Sequence, residues 1–192
     1  MAINHSGYSP SIPLTKSIIG PPLKETLNKV LGEIPEEKID SIISSFKIFY
    51  DSEGYKKSVI YEGMDELLKA LKKSSTSLYL ATNKRLAPTE KIIEYFGWQD
   101  LFTKVYAIDK QKYCPFMNKA EMIGSLLKQE CIQSAESLYI GDRLEDVAAA
   151  EKNNLSTILV NWGYEDFSAL EMRGLRVAES PIQLQTMILN HP

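Results

Sequence analysis

Two cysteines and two histidines are all that this 192-residue chain carries of the residue types that most often build disulfides and zinc centres. Cys114 and Cys131 stand apart and match no CxxC pattern, which argues against a disulfide framework or a zinc cluster and points to a thiol-reducing compartment, the cytoplasm. His5 and His191 lie a few residues from the chain ends, where order is usually poor, so histidine catalysis and histidine metal sites are not expected. No apolar run is long enough to span a bilayer, and the polar start MAINHSGYSP lacks the basic-then-apolar plan of a signal peptide. A net charge of -3, with basic residues scattered rather than striped, leaves no electrostatic footprint for nucleic acid or an anionic membrane. Internal repeats and low-complexity tracts are also missing. What is present, 44% apolar residues, suffices to bury one sizeable core, or a main domain with a small helical one.

From Ser77 onward, short β-branched or aromatic runs alternate with helical periods, the signature of βαβ units and a parallel sheet. Strands are predicted at 77–82, 104–109, 137–141, 156–161 and, more weakly, 175–179. Helices are predicted around Leu67–Leu71, Ile92–Phe96 and Met122–Leu127, and from Pro181, which suits a first turn. Residues before about Tyr61 carry no strand pattern. They read as two helices: one begins at Pro21 and Pro22 and ends at Gly32, and the other runs from Glu36 to about Asp51 with an apolar stripe of Ile39, Ile42, Ile43, Phe46 and Phe49 or Tyr50. The expected organisation is a helical layer over 1–60, a hinge at Tyr61–Met64, and an α/β core over 61–192.

The stretch SLYIGDRLEDVAAAEKN, Ser137 to Asn153, runs a short apolar strand into two aspartates four apart and then into a small-residue helix. Asp142 leaves the strand and Asp146 sits on the first helical turn, so both carboxylates can converge above a sheet edge and hold a divalent metal. Asp142 with Glu145 three residues on equally fits a helix-start capping pattern, with Asp146 as a favourable first-turn anion. On this segment alone neither reading prevails. Thr82 and Asn83 follow another strand and can offer a hydroxyl and backbone donors to an oxyanion, although a plain strand-to-helix turn uses the same residues. Lys119 lies in the first turn of a helix, where a cation opposes the macrodipole by roughly 0.3–1 kcal/mol. It therefore points to solvent or answers a nearby anion. Together, in order along one sheet edge, these positions give hydroxyl, ammonium and two carboxylates, a far more specific constellation than any member.

On these residues the chain resembles the haloacid dehalogenase superfamily, in its phosphoglycolate-phosphatase-like branch with a helical cap. The segments IIGPPLKETL, ATNKRLAPTEKIIEYFG, NKAEMI, IGDRLEDVAAAEKN and WGYED resemble that branch's cap segment, second, third and fourth motifs, and late loop, in the family's order. The resemblance implies a Rossmann-like parallel sheet with a helical cap and an Mg²⁺-dependent phosphatase acting on a small phosphorylated metabolite. It implies that Thr82 and the Asn83 backbone bind the phosphoryl group and that Lys119 neutralises it. Asp142 would ligate Mg²⁺; Asp146 would hold a metal-bound water and orient Lys119.

One departure stands out. The family's first strand ends in an Asp-x-Asp motif, whose first aspartate attacks phosphorus and whose second serves as general acid and base, and no such motif precedes the cap segment here. The opening residues resemble the tail of the first cap helix, so the expectation is that the first, central strand is absent from this chain. Asp51, in KIFYDSEGYK, is a near-miss of the motif but continues the helical period from Ile39, with Gly54 suited to a C-cap. Loss of a central strand removes four or five buried side chains, on the order of 10 kcal/mol, which is comparable with the stability of a whole domain. Two outcomes are compatible with that loss: a truncated phosphatase without its nucleophile, or a non-catalytic phosphate-binding or partner-pairing module that self-associates through an open sheet edge.

Overall fold

The computed structural model describes residues 7–15, 18–74, 76–109, 116–168 and 171–191; His5 and Cys114 lie outside the described residues, and Cys131 is a free, exposed thiol. Helix α1 (Leu23–Leu31) begins behind Pro22, whose missing N–H costs nothing where helix donors are unpaired anyway. It stops at Gly32, which takes a φ of 70° and donates its N–H to the Asn28 carbonyl. Helix α2 (Glu36–Ser52) buries Ile39 and Ile42 against Leu27, Val30 and Leu31 of α1, so the two helices share an apolar cluster of their own.

Further along the stripe Phe46 and Tyr50, both half-buried, stack on each other with ring centroids 5.3 Å apart. Asp51 lies in the last turn of α2 and makes a two-pronged ion pair with Arg85, consistent with a helix end. Gly54 is not the expected cap. Glu53 caps the helix, and Gly54 opens a 3₁₀ turn (Gly54–Lys57) in which a Cβ would stand 2.9 Å from the Tyr50 ring, so close packing rather than a left-handed backbone selects glycine.

From there strand and helix alternate: α3 (Met64–Lys73), β1 (Tyr79–Thr82), α4 (Leu86–Tyr95), β2 (Lys104–Ala107), α5 (Lys119–Gln129), β3 (Leu138–Gly141), α6 (Leu144–Glu151), β4 (Ser156–Val160), β5 (Val177–Ala178) and α7 (Pro181–Leu189). Every strand pairing is parallel, as helical crossovers require. Most strands are trimmed relative to their sequence patterns. Past Ala107 the chain turns so that Asp109 can accept the Leu86 N–H at 2.7 Å, an orphan donor at the start of α4.

The strands do not form one sheet. Among the described residues β1 pairs with β2 alone, while β3, β4 and β5 form a second sheet in that order. The two half-sheets nevertheless share a layer. On one face α5 packs on β1 and β2, α6 packs on β3 and β4, the two helices pack on each other, and Ala81 and Tyr139 meet in one apolar cluster. On the other face Leu78, Leu138 and Ile140 all pack on the cluster that α3 and α7 build from Leu67, Leu71 and Leu184. Asn153 clamps α5 to α6, donating to the Ala120 and Ala149 carbonyls at 2.9 Å each.

Candidate functional site

The carboxyl ends of β1 and β3 carry the candidate residues, and local chemistry sets each one. Asn118 caps α5 by accepting the Glu121 N–H at 2.9 Å, while Glu121 accepts the Met117 N–H at 2.7 Å; this reciprocal cap starts the helix at Lys119. Lys119 therefore stands at the first helical position, and it answers an anion rather than solvent: its ammonium donates to Asp146 Oδ1 at 2.5 Å. The pair is buried, with side-chain exposures of 11% for Lys119 and 4% for Asp146.

Asp146 is saturated with donors. Its Oδ2 accepts the backbone N–H groups of Asp142 and Arg143, both at 3.1 Å, and the Tyr139 hydroxyl approaches Oδ1 at 3.4 Å. The capping reading of this segment holds in part. Asp146 serves α6 as the acid that reaches back to the N-cap, but the N-cap residue is Arg143, not Asp142. Burial, and next the Asp146 charge, push the Tyr139 hydroxyl far above the usual tyrosine range, so it stays protonated as a donor.

Asp142 turns the other way and accepts the Tyr164 N–H on Oδ2 at 2.9 Å. Two glycines make room for the acids: a Cβ on Gly141 would lie 2.3 Å from Asp146 Cβ, and one on Gly163 would lie 2.2 Å from Asp142 Cβ. Thr82 ends β1, and its hydroxyl oxygen accepts the Lys84 N–H at 3.1 Å, a turn that leaves its proton available to a ligand. Asn83 donates its side-chain amide to the Gly20 carbonyl at 3.3 Å, and Arg143 donates to the neighbouring Ile19 carbonyl at 3.1 Å. Gly20 holds a φ of 122° with the arginine directly against it, where a Cβ would meet Nη1 at 3.0 Å. The segment ahead of α1 is thereby seated on the sheet edge.

The structure directly joins Lys119 to Asp146, and it places Thr82, Asn83 and Asp142 at the same edge. Sequence reasoning passed over Lys84, Tyr139, Arg143 and Gly163, whose roles arise from contacts made across the fold. Burial pulls the Lys84 ammonium below the usual lysine range; the Asp142 charge opposes that shift, and part of the side chain stays in water.

Among the described residues no three acidic, histidine or cysteine side chains converge at one point. The donor set still suits Mg²⁺, which keeps several waters and takes one or two carboxylates. Asp142 has an oxygen that the Tyr164 contact does not use, and Asp146, its four donors already in place, is suited to a water-mediated contact.

Residues 2–160 match the family model described as haloacid dehalogenase-like hydrolase. A phosphoglycolate phosphatase from Psychrobacter arcticus is 32% identical over 138 residues, 69% of this chain and 57% of that protein. The tyrosine-protein kinase PtkA of Mycobacterium tuberculosis is 28% identical over 165 residues, 85% of this chain and 55% of that protein. The chain thus spans a little over half the length of these relatives. The crystal structure of a predicted phosphatase from Clostridium acetobutylicum superposes with a TM-score of 0.79 at 26% identity, covering 91% of this chain and 80% of that one.

Proposed function

This chain belongs to the haloacid dehalogenase-like hydrolase family, and from that membership and the geometry of its sheet edge we propose that it carries the phosphoryl- and metal-binding half of an Mg²⁺-dependent small-molecule phosphatase of phosphoglycolate-phosphatase type. The observation that carries this reading is the buried Lys119–Asp146 pair at the edge where Thr82 and Asp142 also end. A buried ammonium fixed by a saturated carboxylate is a preorganised cation, which is the electrostatic requirement for holding a phosphoryl group.

In this reading the Thr82 hydroxyl and the Asn83 backbone N–H bind phosphoryl oxygens, and Lys119 offsets their charge. Asp146 acts through Lys119 as a positioning residue, with Tyr139 holding Asp146 in turn. Asp142 would hold Mg²⁺, which when bound supplies further charge compensation at the phosphoryl group. The small helical layer over residues 1–60, seated through Ile19 and Gly20, shapes which phosphorylated metabolite enters. No helix among the described residues is long and apolar enough to cross a membrane, and the cytoplasm is our proposal from the two isolated cysteines alone.

Hydrolysis also needs an attacking carboxylate, and the residues gathered here supply none in that role: Asp146 is bound to Lys119 and Asp142 faces the Tyr164 turn. The broken sheet favours a second reading, a phosphate-binding module that works by pairing with another polypeptide. Two measurements on the purified chain separate these readings. Binding of phosphoglycolate or inorganic phosphate with Mg²⁺, lost in Lys119→Met, is expected under both, and its absence from a folded protein sinks both. Hydrolysis of p-nitrophenyl phosphate or phosphoglycolate is expected to be undetectable, and turnover that survives stringent purification would establish the chain as an enzyme by itself.

A further inference from the structure

The solvent side of α7 departs from the usual plan of a surface helix. Its inner face buries Leu184 and packs Met187 and Ile188 against the cluster shared with α3. The opposite face, one line at i, i+4 and i+7, carries Ile182, Thr186 and Leu189, with Ile182 78% and Leu189 52% exposed. No residue of Pro181–Leu189 is charged. The outward face of an amphipathic helix normally carries its charge, so two bare aliphatic side chains there, with no charge beside them on the helix, mark a surface built to meet something other than water.

At the start of α7 lies a cavity of about 210 Å³ lined by Tyr61, Glu62, Trp162, Glu179, Ser180 and Pro181. Its walls are fixed by the fold. Trp162, just past β4, is half-buried against the cluster that α3 and α7 share. The two helix starts abut, since a Cβ on Gly63, the N-cap of α3, would stand 3.3 Å from Pro181 Cβ. Glu179 is pinned beside them, its N–H donating to Gln183 Oε1 at 2.8 Å while Ser180 caps α7. The volume exceeds the roughly 150 Å³ that admits a benzene-sized guest but falls short of the roughly 300 Å³ at which small-molecule pockets begin. It is sized for one side chain rather than for a metabolite.

Charge identifies that side chain. Neither Glu62 nor Glu179 makes a salt bridge or a side-chain hydrogen bond among the described residues. Two helix ends of about +0.5 charge each meet here, so two carboxylates leave about one unit of negative charge uncompensated. Because α3 already carries Asp65 and Glu66 in its first turn, its N-terminus does not need Glu62. An indole and a phenol ring beside that charge favour a cation that stacks on aromatic faces, which a guanidinium does better than an ammonium. We infer that this surface docks a segment of a partner polypeptide, which seats one arginine in the cavity against Trp162, Glu62 and Glu179 and lays apolar side chains along Ile182 and Leu189. Those two residues are roughly 10 Å apart along the helix, so the partner presents its apolar side chains over two helical turns beyond the arginine. The surface shares no residue with the phosphoryl-binding edge and stands whether or not that edge binds phosphate.

The test uses the whole chain and two synthetic helical peptides of opposite sequence order, each with one arginine at an end and leucines four and eleven residues from it. Calorimetry should show one-to-one binding of one peptide, with hydrogen-exchange protection at 61–63 and a shift of the Trp162 indole signal, which Trp162→Phe identifies. Replacing the peptide's arginine by glutamine should weaken binding about ten-fold, and the double variant Glu62→Gln, Glu179→Gln should remove that difference. Ile182→Ser, at an exposed position where the fold does not depend on the side chain, should weaken the arginine and glutamine peptides alike. Failure of both peptides to bind the folded chain, equal affinity with arginine and glutamine, or binding that Ile182→Ser leaves unchanged overturns the inference. So does free arginine amide that binds as tightly as the peptide, which would make the cavity a small-molecule site. A concentration-dependent dimer that Ile182→Ser dissolves overturns it too, by making a second copy of the chain the occupant.

Discussion

Removing either partner of the Lys119–Asp146 pair should be costly, and the two costs should differ. With side-chain exposures of 11% and 4%, this is a buried pair, for which loss of one partner costs about 3–5 kcal/mol. Lys119→Met leaves Asp146 with the N–H groups of Asp142 and Arg143 and the Tyr139 hydroxyl, and it removes a cation from the unfavourable end of α5, which returns roughly 0.5 kcal/mol. A net loss of about 3 kcal/mol is expected. Asp146→Ala instead strands a buried ammonium, orphans the two backbone donors at the start of α6 and frees the tyrosine hydroxyl, so about 5 kcal/mol is expected. Urea unfolding followed by circular dichroism gives both numbers where the variant is folded, and hydrogen exchange at 144–150 gives the local effect where it is not. Equal losses, a larger loss for Lys119→Met, or two losses below about 1 kcal/mol would refute the assignment of Asp146 as the shared acceptor of this edge.

Mg²⁺ binding by the chain alone should be weak, in the millimolar range or about -4 kcal/mol, because the side chains supply only part of its oxygen shell; a titration followed by the amide signals of 141–146 should lose its response in Asp142→Asn, and an unchanged response places the ion elsewhere. Gly141→Ala would drive a Cβ to 2.3 Å from Asp146 Cβ and should destabilise by about 3 kcal/mol, read from thermal melts, a tolerated alanine being the adverse result. Burial, and next its hydrogen bond to Glu130, push the Tyr106 hydroxyl from 10.0 up to about 12. The folded state therefore holds this proton more tightly than the unfolded chain, so the contribution is whole below pH 10 and lost as pH rises through about 12. Tyr106→Phe should flatten that alkaline limb of the stability profile, and an unaltered limb counts against the shift.

The fold was legible because periodicity reports local geometry. The strand around Ile140, the helix around Met122 and the Pro22–Gly32 punctuation of α1 are each written in a few consecutive residues. Thr82, Lys119, Asp142 and Asp146 were legible for a related reason, since each leaves a strand or starts a helix, where sequence position fixes location at the sheet edge. Lys84, Tyr139 and Gly163 were not. Tyr139 looks like any alternating strand residue until α6 brings Asp146 over its hydroxyl, and Gly163 looks like a turn glycine until Asp142 is found against it. Gly54 misled in the opposite direction, because a glycine past a helix suggests a cap, whereas the Tyr50 ring leaves no space for a side chain. Charge preference alone left two outcomes for Lys119, and only the approach of α6 selected the buried pair.

The seat of the Ile19–Gly20 segment acts as a mechanical gauge. It grips Asn83, beyond one half-sheet, through the Gly20 carbonyl, and Arg143, beyond the other, through the Ile19 carbonyl. Those carbonyls belong to consecutive residues, whose Cα atoms are held about 3.8 Å apart by a peptide unit that cannot stretch. Spreading the half-sheets must therefore be absorbed by the arginine's reach or release one grip, and releasing a grip lifts the segment that leads into α1. Lift of the helical layer and the distance between β1 and β3 thus move along one coordinate, and a perturbation of either is read out at the other.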